Sequence, residues 1–198
     1  MLPRTSKKYI DSAAQRRPNR TGENMIEIKK LDKEAYKGYS IDGSYVSDGC
    51  YDAVREEMGM AFRFAAFPEP VVKPLRVSLF EQWLSDPVAF GAFDGERLAG
   101  LVVGSVEGWN NRFRLSDIYI EHEYRHMGIG GKLISRIVEE ARQSGCRMVV
   151  LETQSCNNRA IACYRANGFE LIGCDLYSYS NSDIEKREVR LEFGLKLD

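Results

Sequence analysis

Histidine is scarce in this chain. His122 and His126 are the only two in 198 residues, and no Cys-x-x-Cys pair occurs, which argues against a metal site. No apolar run approaches the roughly 18–20 residues a membrane span needs, so no membrane partner is expected. Charge of either sign is not in excess: the net value of −1 gives no reason to expect nucleic acid as a partner. Five cysteines, Cys50, Cys146, Cys156, Cys163 and Cys174, form no paired spacing. Their odd number fits reduced thiols and a cytoplasmic location. The 43% hydrophobic and 29% charged residues are those of an ordinary globular protein, long enough for one domain with a sizeable core.

Charge is nevertheless uneven. Residues 1–24 carry six basic side chains against Asp11 and Glu23, a net +4, and no apolar stretch of the kind a secretory signal has. They are read as a disordered basic extension, with a single domain over 25–198 that begins in a strand at Met25-Ile26-Glu27-Ile28. Residues 41–57 carry five acidic residues against Arg55, with Tyr39, Tyr45 and Tyr51 interleaved. They are expected to be an acidic loop and helix, either solvated or serving as a wall that attracts a cationic amine.

What is there in strength is a turn. An apolar run, Ile118-Tyr119-Ile120, leads into Arg125-His126-Met127-Gly128-Ile129-Gly130-Gly131 and then a long amphipathic segment. Glycines permit close backbone approach and unusual dihedrals. A helix N-terminus offers unpaired N–H donors and a positive dipole end. Together they suit a pyrophosphate. Two common phosphate motifs fail on spelling. A P-loop would need glycine where His126 stands and Ser or Thr where Leu133 stands, and a dinucleotide fingerprint from Gly128 would need its third glycine at Leu133.

Downstream, Glu152 closes the next apolar run (Met148 to Leu151). Asn157-Asn158-Arg159-Ala160 opens a helix carrying Tyr164, and Asn167-Gly168-Phe169 ends it. This order, with Arg-x-x-Gly-x-Gly before it, resembles the GCN5-related N-acetyltransferase (GNAT) superfamily over roughly residues 86–197. The resemblance implies an α/β (α+β) GNAT fold: a mixed, mostly antiparallel six- to seven-stranded sheet, about four flanking helices, and central parallel strands that splay apart. It implies acetyl-CoA as co-substrate, held by Ile118, Tyr119, Ile120, Arg125, His126, Met127, Gly128, Ile129, Gly130, Gly131, Lys132, Asn157 and Tyr164. It also implies direct transfer to an amine, with Tyr164 as the acid that protonates the leaving thiolate.

The base is open. Glu152, twelve residues before Tyr164, resembles the glutamate base of the ribosomal-protein alanine acetyltransferases; Asp117 and Glu121 on the preceding strand are alternatives, and the strand position many relatives use holds Ser116. Cys163 has no recognisable His partner and is not taken as a nucleophile. Trp109-Asn110-Asn111-Arg112, Leu151-Glu152-Thr153-Gln154 and Ile161-Ala162-Cys163 are similar to the streptothricin (nourseothricin) acetyltransferases, which modify an amine of a cationic antibiotic. A small-molecule amine acetyltransferase, monomer or homodimer, is therefore expected. A protein N-terminal or lysine acetyltransferase, and a non-catalytic acyl-CoA-binding regulator, are the alternatives.

For the remaining elements, Asp32 is expected to cap a helix over Lys33–Gly38. Pro68, Pro70 and Pro74 are expected to interrupt the chain before a helix over Val77–Leu84 with Trp83 toward the core. Asp94-Gly95 marks a hairpin. Leu133, Ile134, Ile137, Val138 and Ala141 share one face of the helix that Gly145 ends. Strands are expected at Phe169–Tyr177 and Glu188–Leu197, joined by a candidate substrate lid, Ser178–Lys186.

Overall fold

The computed structural model describes residues 26–197; the basic extension 1–24 lies outside them. In chain order the elements are β1 (Glu27–Lys30), β2 (Ser40–Asp42), β3 (Tyr45–Arg55), β4 (Met60–Lys73), β5 (Arg76–Ser78), β6 (Val88–Asp94), β7 (Arg97–Glu107), β8 (Arg112–Ile120), a 3₁₀ turn (His122–Tyr124), α1 (Ile129–Gln143), β9 (Met148–Gln154), α2 (Asn158–Ala166), β10 (Glu170–Asp175) and β11 (Arg190–Lys196). Seven strands make one sheet in the order β1-β6-β7-β8-β9-β11-β10. Every pairing is antiparallel except β8 with β9. That pairing is parallel because α1 is the crossover between its two strands.

The β8–β9 ladder is short. It joins Arg112, Phe113 and Arg114 to Met148, Val149 and Val150 and goes no further, so the C-terminal halves of both strands diverge. A cleft opens there, with backbone groups of β8 facing it. The register of β8 against β7 also slips once. Leu115 opposes Gly104 and Asp117 opposes Val103, which leaves Ser116 as the extra residue of a β-bulge. Because a one-residue offset exchanges the two faces of a strand, the alternation changes parity at Ser116. Phe113 and Leu115 point to the core beneath α1 before the bulge, and Ile118 and Ile120 do so after it. Asp117 and Tyr119 are thereby turned to the opposite face, where Tyr119 packs with the second core.

The first core lies between α1 and the sheet, with Leu133, Ile134, Ile137, Val138 and Ala141 of α1 against Phe113, Val149, Leu151 and Phe193. All five helix residues are buried, as the periodicity requires; each is worth about 1.5–3 kcal/mol except the smaller alanine. The helix ends in a Schellman motif. Gly145 (φ +70°) donates to Arg142, and Cys146 donates to Ala141. The second core covers the other face with Leu31, Val77, Leu79, Leu84, Ala89, Leu101 and Val103.

The expected helices of the first half do not form. Among the described residues there are two α-helices rather than about four. Asp32 does accept from Ala35 N–H (2.7 Å), but only a turn results, closed by Gly38 at φ +74°. Most of residues 41–57 lies in the strands β2 and β3, with Glu56 and Glu57 in the turn that follows. Val77 lies in β5, paired with β2, and Trp83 is 67% exposed rather than in the core. Pro68 and Pro70 do not stop β4, because they fall in its unpaired stretch between Ala66 and Val71, where β3 needs no donor from them.

Candidate active site

The anion-binding turn is pinned at both ends. The buried Tyr124 donates its hydroxyl to Asp94 (2.9 Å), and Arg125 Nε donates to the Ile120 carbonyl at the end of β8 (3.1 Å). His126 (φ +64°) and Gly128 (φ +75°) are both left-handed, and Gly128 is the N-cap of α1. It has no side chain to cap the helix, and the first turn carries no acidic residue. The opening N–H groups of Ile129, Gly130 and Gly131 and the positive end of the helix are thus left to an external anion. Gly130 and Gly131 serve another purpose: a Cβ on them would stand 3.4 Å from Cys163 Sγ and 3.3 Å from Asn167 Oδ1. They let α2 lie against the start of α1. His126, Met127 and Lys132 are exposed on the same turn.

Helix α2 sets Tyr164. Asn157 caps its start, accepting from Ala160 N–H at 3.4 Å. Its end is a second Schellman motif, in which Gly168 (φ +85°) donates to Arg165 and Phe169 donates to Tyr164. The apolar contact typical of that motif is the Phe169 ring on the Tyr164 ring, with centroids 6.1 Å apart. Phe193 of β11 supports the other side at 6.3 Å. The Asn-Gly-Phe spelling therefore positions the tyrosine. Tyr164 is only 6% exposed, and its hydroxyl has no hydrogen-bond partner among the described residues. Burial, with Cys163 and Asp117 nearby, holds the phenol well above its ordinary value, so it stays protonated at neutral pH.

Two carboxylates stand on the cleft face opposite α1, and they differ. Asp117, turned there by the bulge, makes neither an ion pair nor a hydrogen bond among the described residues. Burial, with Glu81 and Glu152 near it, raises its carboxyl to about 6. Glu152 is ion-paired with Arg190 and, at 3.9 Å, with Arg114. Glu121 accepts from the Tyr119 hydroxyl (3.3 Å) and lies just past the end of β8, where it opens the 3₁₀ turn. The structure thus brings both Glu152 and Tyr164 within electrostatic reach of Asp117 at the splay. Glu81, Arg114 and Arg190 join this cluster without any local signal in the sequence.

The hairpin β3–β4 docks against the other side of the cleft. Arg187 makes a two-pronged ion pair with Asp52 (2.7 and 2.8 Å) and stacks on Phe67. Asn158 donates to Asp48 (2.8 Å), and Tyr45 donates to Gln154 (2.6 Å). Asp48 and Asp52 are consequently occupied in docking the hairpin and do not form the open acidic wall expected of residues 41–57. The Ser178–Lys186 loop is held by buried Asp183, which accepts from Tyr179 N–H and Ser180 Oγ. Among the described residues no group of three His, Cys, Asp or Glu could hold a metal ion, and no helix is long and apolar enough to cross a membrane.

Comparison with known proteins gives a consistent picture. The sequence model of the acetyltransferase (GNAT) family matches residues 51–169. The streptothricin acetyltransferase of Streptomyces lavendulae is 30% identical over 168 residues, which cover 78% of this chain and 85% of that protein. The crystal structure of nourseothricin acetyltransferase superposes with a TM-score of 0.71 at 28% identity, over 87% of this chain and 99% of that one. A candidate streptothricin acetyltransferase from Bacillus anthracis, in complex with acetyl coenzyme A, shares the fold with a TM-score of 0.74 at 21% identity over 89% of this chain and all of that one.

Proposed function

The chain belongs to the acetyltransferase (GNAT) family and is an N-acetyltransferase; from that premise we propose that it moves the acetyl group of acetyl-CoA onto a primary amine of a small cationic molecule of streptothricin type. The observation that carries this reading is the likeness to the Streptomyces enzyme. It runs over 78% of the chain, too far to be confined to the coenzyme-binding half. The cleft supports it: Asp117 and Glu81 supply negative charge where a cationic amine must arrive.

The coenzyme fits the residues present. The uncapped first turn of α1, with Arg125 beside it, suits a pyrophosphate. The unpaired edge of β8 at Ile118 and Tyr119 suits the amides of a pantetheine arm, and so does the carboxamide of Asn157 at the mouth of α2. An amine is protonated at pH 7 and cannot attack a thioester. Asp117, with its carboxyl near 6 and no competing partner, takes the proton directly or through one water. Tyr164, protonated and held by Phe169 and Phe193, gives a proton to the departing thiolate. Asp117 is preferred to Glu152 as base because the Glu152 carboxylate already has guanidinium partners. A free pair of acid and base favours turnover over a purely acyl-CoA-binding role. Five free cysteines favour a cytoplasmic setting.

Thiol release from acetyl-CoA tests the reading, with streptothricin, a polyamine, an aminoglycoside and a peptide with a free N-terminal alanine as acceptors. Streptothricin is expected to be the best acceptor. Release with the peptide alone would move the function to protein acetylation. Coenzyme binding without release from any acceptor would sink the reading.

A further inference from the structure

The charges around Glu152 form a continuous chain across the sheet. Glu107 of β7 pairs with Arg114 and, at 3.3 Å, with Arg112 of β8. Arg114 reaches Glu152 of β9, Glu152 pairs with Arg190 of β11, and Arg190 pairs with Glu192 at 2.7 Å. The chain crosses the strands obliquely and passes from β8 to β9 where their backbone ladder has just ended at Arg114 and Val150. Beyond that point the Arg114–Glu152 ion pair, at 3.9 Å, still links the diverging strands. Arg114 and Arg190 are largely buried, with 17% and 25% of their side chains exposed, so the contacts are screened less than surface pairs.

We propose that Glu152 is a positioning residue: it joins the two halves of an ion-pair ladder that fixes the splay of β8 and β9 and sets a carboxylate beside Asp117, without itself accepting the substrate proton. The inference rests on the assignment of Asp117 as base. Asp117 is faced by Glu81 from the segment after β5, by Glu152 from β9 and by Tyr164 from α2. Glu152 is faced by Arg114, Arg190 and Tyr179. Removing the carboxylate removes a negative charge beside Asp117 and leaves Arg114 and Arg190 with one carboxylate partner each, Glu107 and Glu192. Both effects make Asp117 a weaker base. Removing Arg190 does the reverse.

The test is the pH profile of kcat/KM for wild type, Glu152→Gln, Arg190→Gln and Asp117→Asn, each checked for folding by thermal unfolding. Glu152→Gln should move the acidic limb to lower pH by about half a unit or more, with a plateau reduced less than about tenfold. Arg190→Gln should move the limb to higher pH. Loss of the limb in Glu152→Gln with a fall of about 10²–10⁴-fold would make Glu152 the base and overturn the proposal. A limb unmoved by both variants, or moved the same way by both, would reduce the ladder to a structural brace and also overturn it. Asp117→Asn separates the two readings: if that variant keeps its acidic limb, the base assignment is what has failed.

Discussion

Replacing Asp117 by asparagine should make the protein inactive and more stable at once. In the unfolded chain the carboxyl titrates at its ordinary value of 3.8; in the fold, burial with Glu81 and Glu152 nearby raises it to about 6. A raised carboxyl is neutral more readily in the fold than in the unfolded chain, so above pH 6 its ionisation works against folding. Two units correspond to about 3 kcal/mol. Asparagine keeps the shape, has its own desolvation cost, and so recovers only part: about 1–2 kcal/mol, or a Tm higher by about 3–6 °C for a chain of this size. The gain should be full well above pH 6, shrink as pH falls from 6 to 4, and become a deficit of about 1–2 kcal/mol below about 4, where both states of the wild type hold the proton and only the cost of the buried amide remains. Comparing thermal unfolding of the two proteins at pH 8, 6, 5 and 4 checks this, since titrating groups that do not interact with Asp117 cancel in the difference. No gain at pH 8, or a gain that does not change with pH, would refute the reasoning and remove the ground for Asp117 as base.

Three further outcomes are expected. Tyr164→Phe keeps the ring packed on Phe169 and Phe193, so Tm and acetyl-CoA affinity should hold while kcat falls about 10²-fold in a steady-state assay. Gly128→Ala forces a Cβ into a left-handed N-cap (φ +75°); it should cost about 1 kcal/mol in denaturant unfolding and weaken acetyl-CoA binding by calorimetry. Arg187→Ala removes the clasp on Asp52 and should cost about 1 kcal/mol, with faster amide exchange in β3 and β4 but not in α1.

The C-terminal half, with its proposed coenzyme turn, was legible because its signals are local. The α1 stripe, Gly145, the Arg125–Gly131 turn and the Asn167-Gly168-Phe169 ending each act over a few residues, and each stands as the pattern required. The acceptor half was not, because its residues answer to partners far along the chain. Asp52 and Asp48 look like free charge until Arg187 and Asn158 are placed against them. The tyrosines and valines of residues 41–57 suit a strand well, but the acidic residues between them hid the alternation. Trp83 shows the same limit: large apolar residues are usually inside, yet a turn with no packed face leaves this one outside. The choice of Asp117 over Glu152 as the proposed base rests on the pairing of Glu152 with Arg114 and Arg190, which spacing along the chain cannot show.

The single extra residue at Ser116 has a consequence for how this protein can change. It stands outside the alternation, so Leu115 points beneath α1 and Asp117 toward the cleft although an odd residue separates them. Deleting Ser116 would restore one-to-one pairing with β7 and leave Asp117 and Ile118 on the faces they now hold. Drawing Ser116 into regular register at unchanged length would instead turn Asp117 beneath α1 and set Ile118 over the cleft, erasing the proposed base without mutating it. The local geometry at Ser116, more than the length of β8, decides which face Asp117 shows.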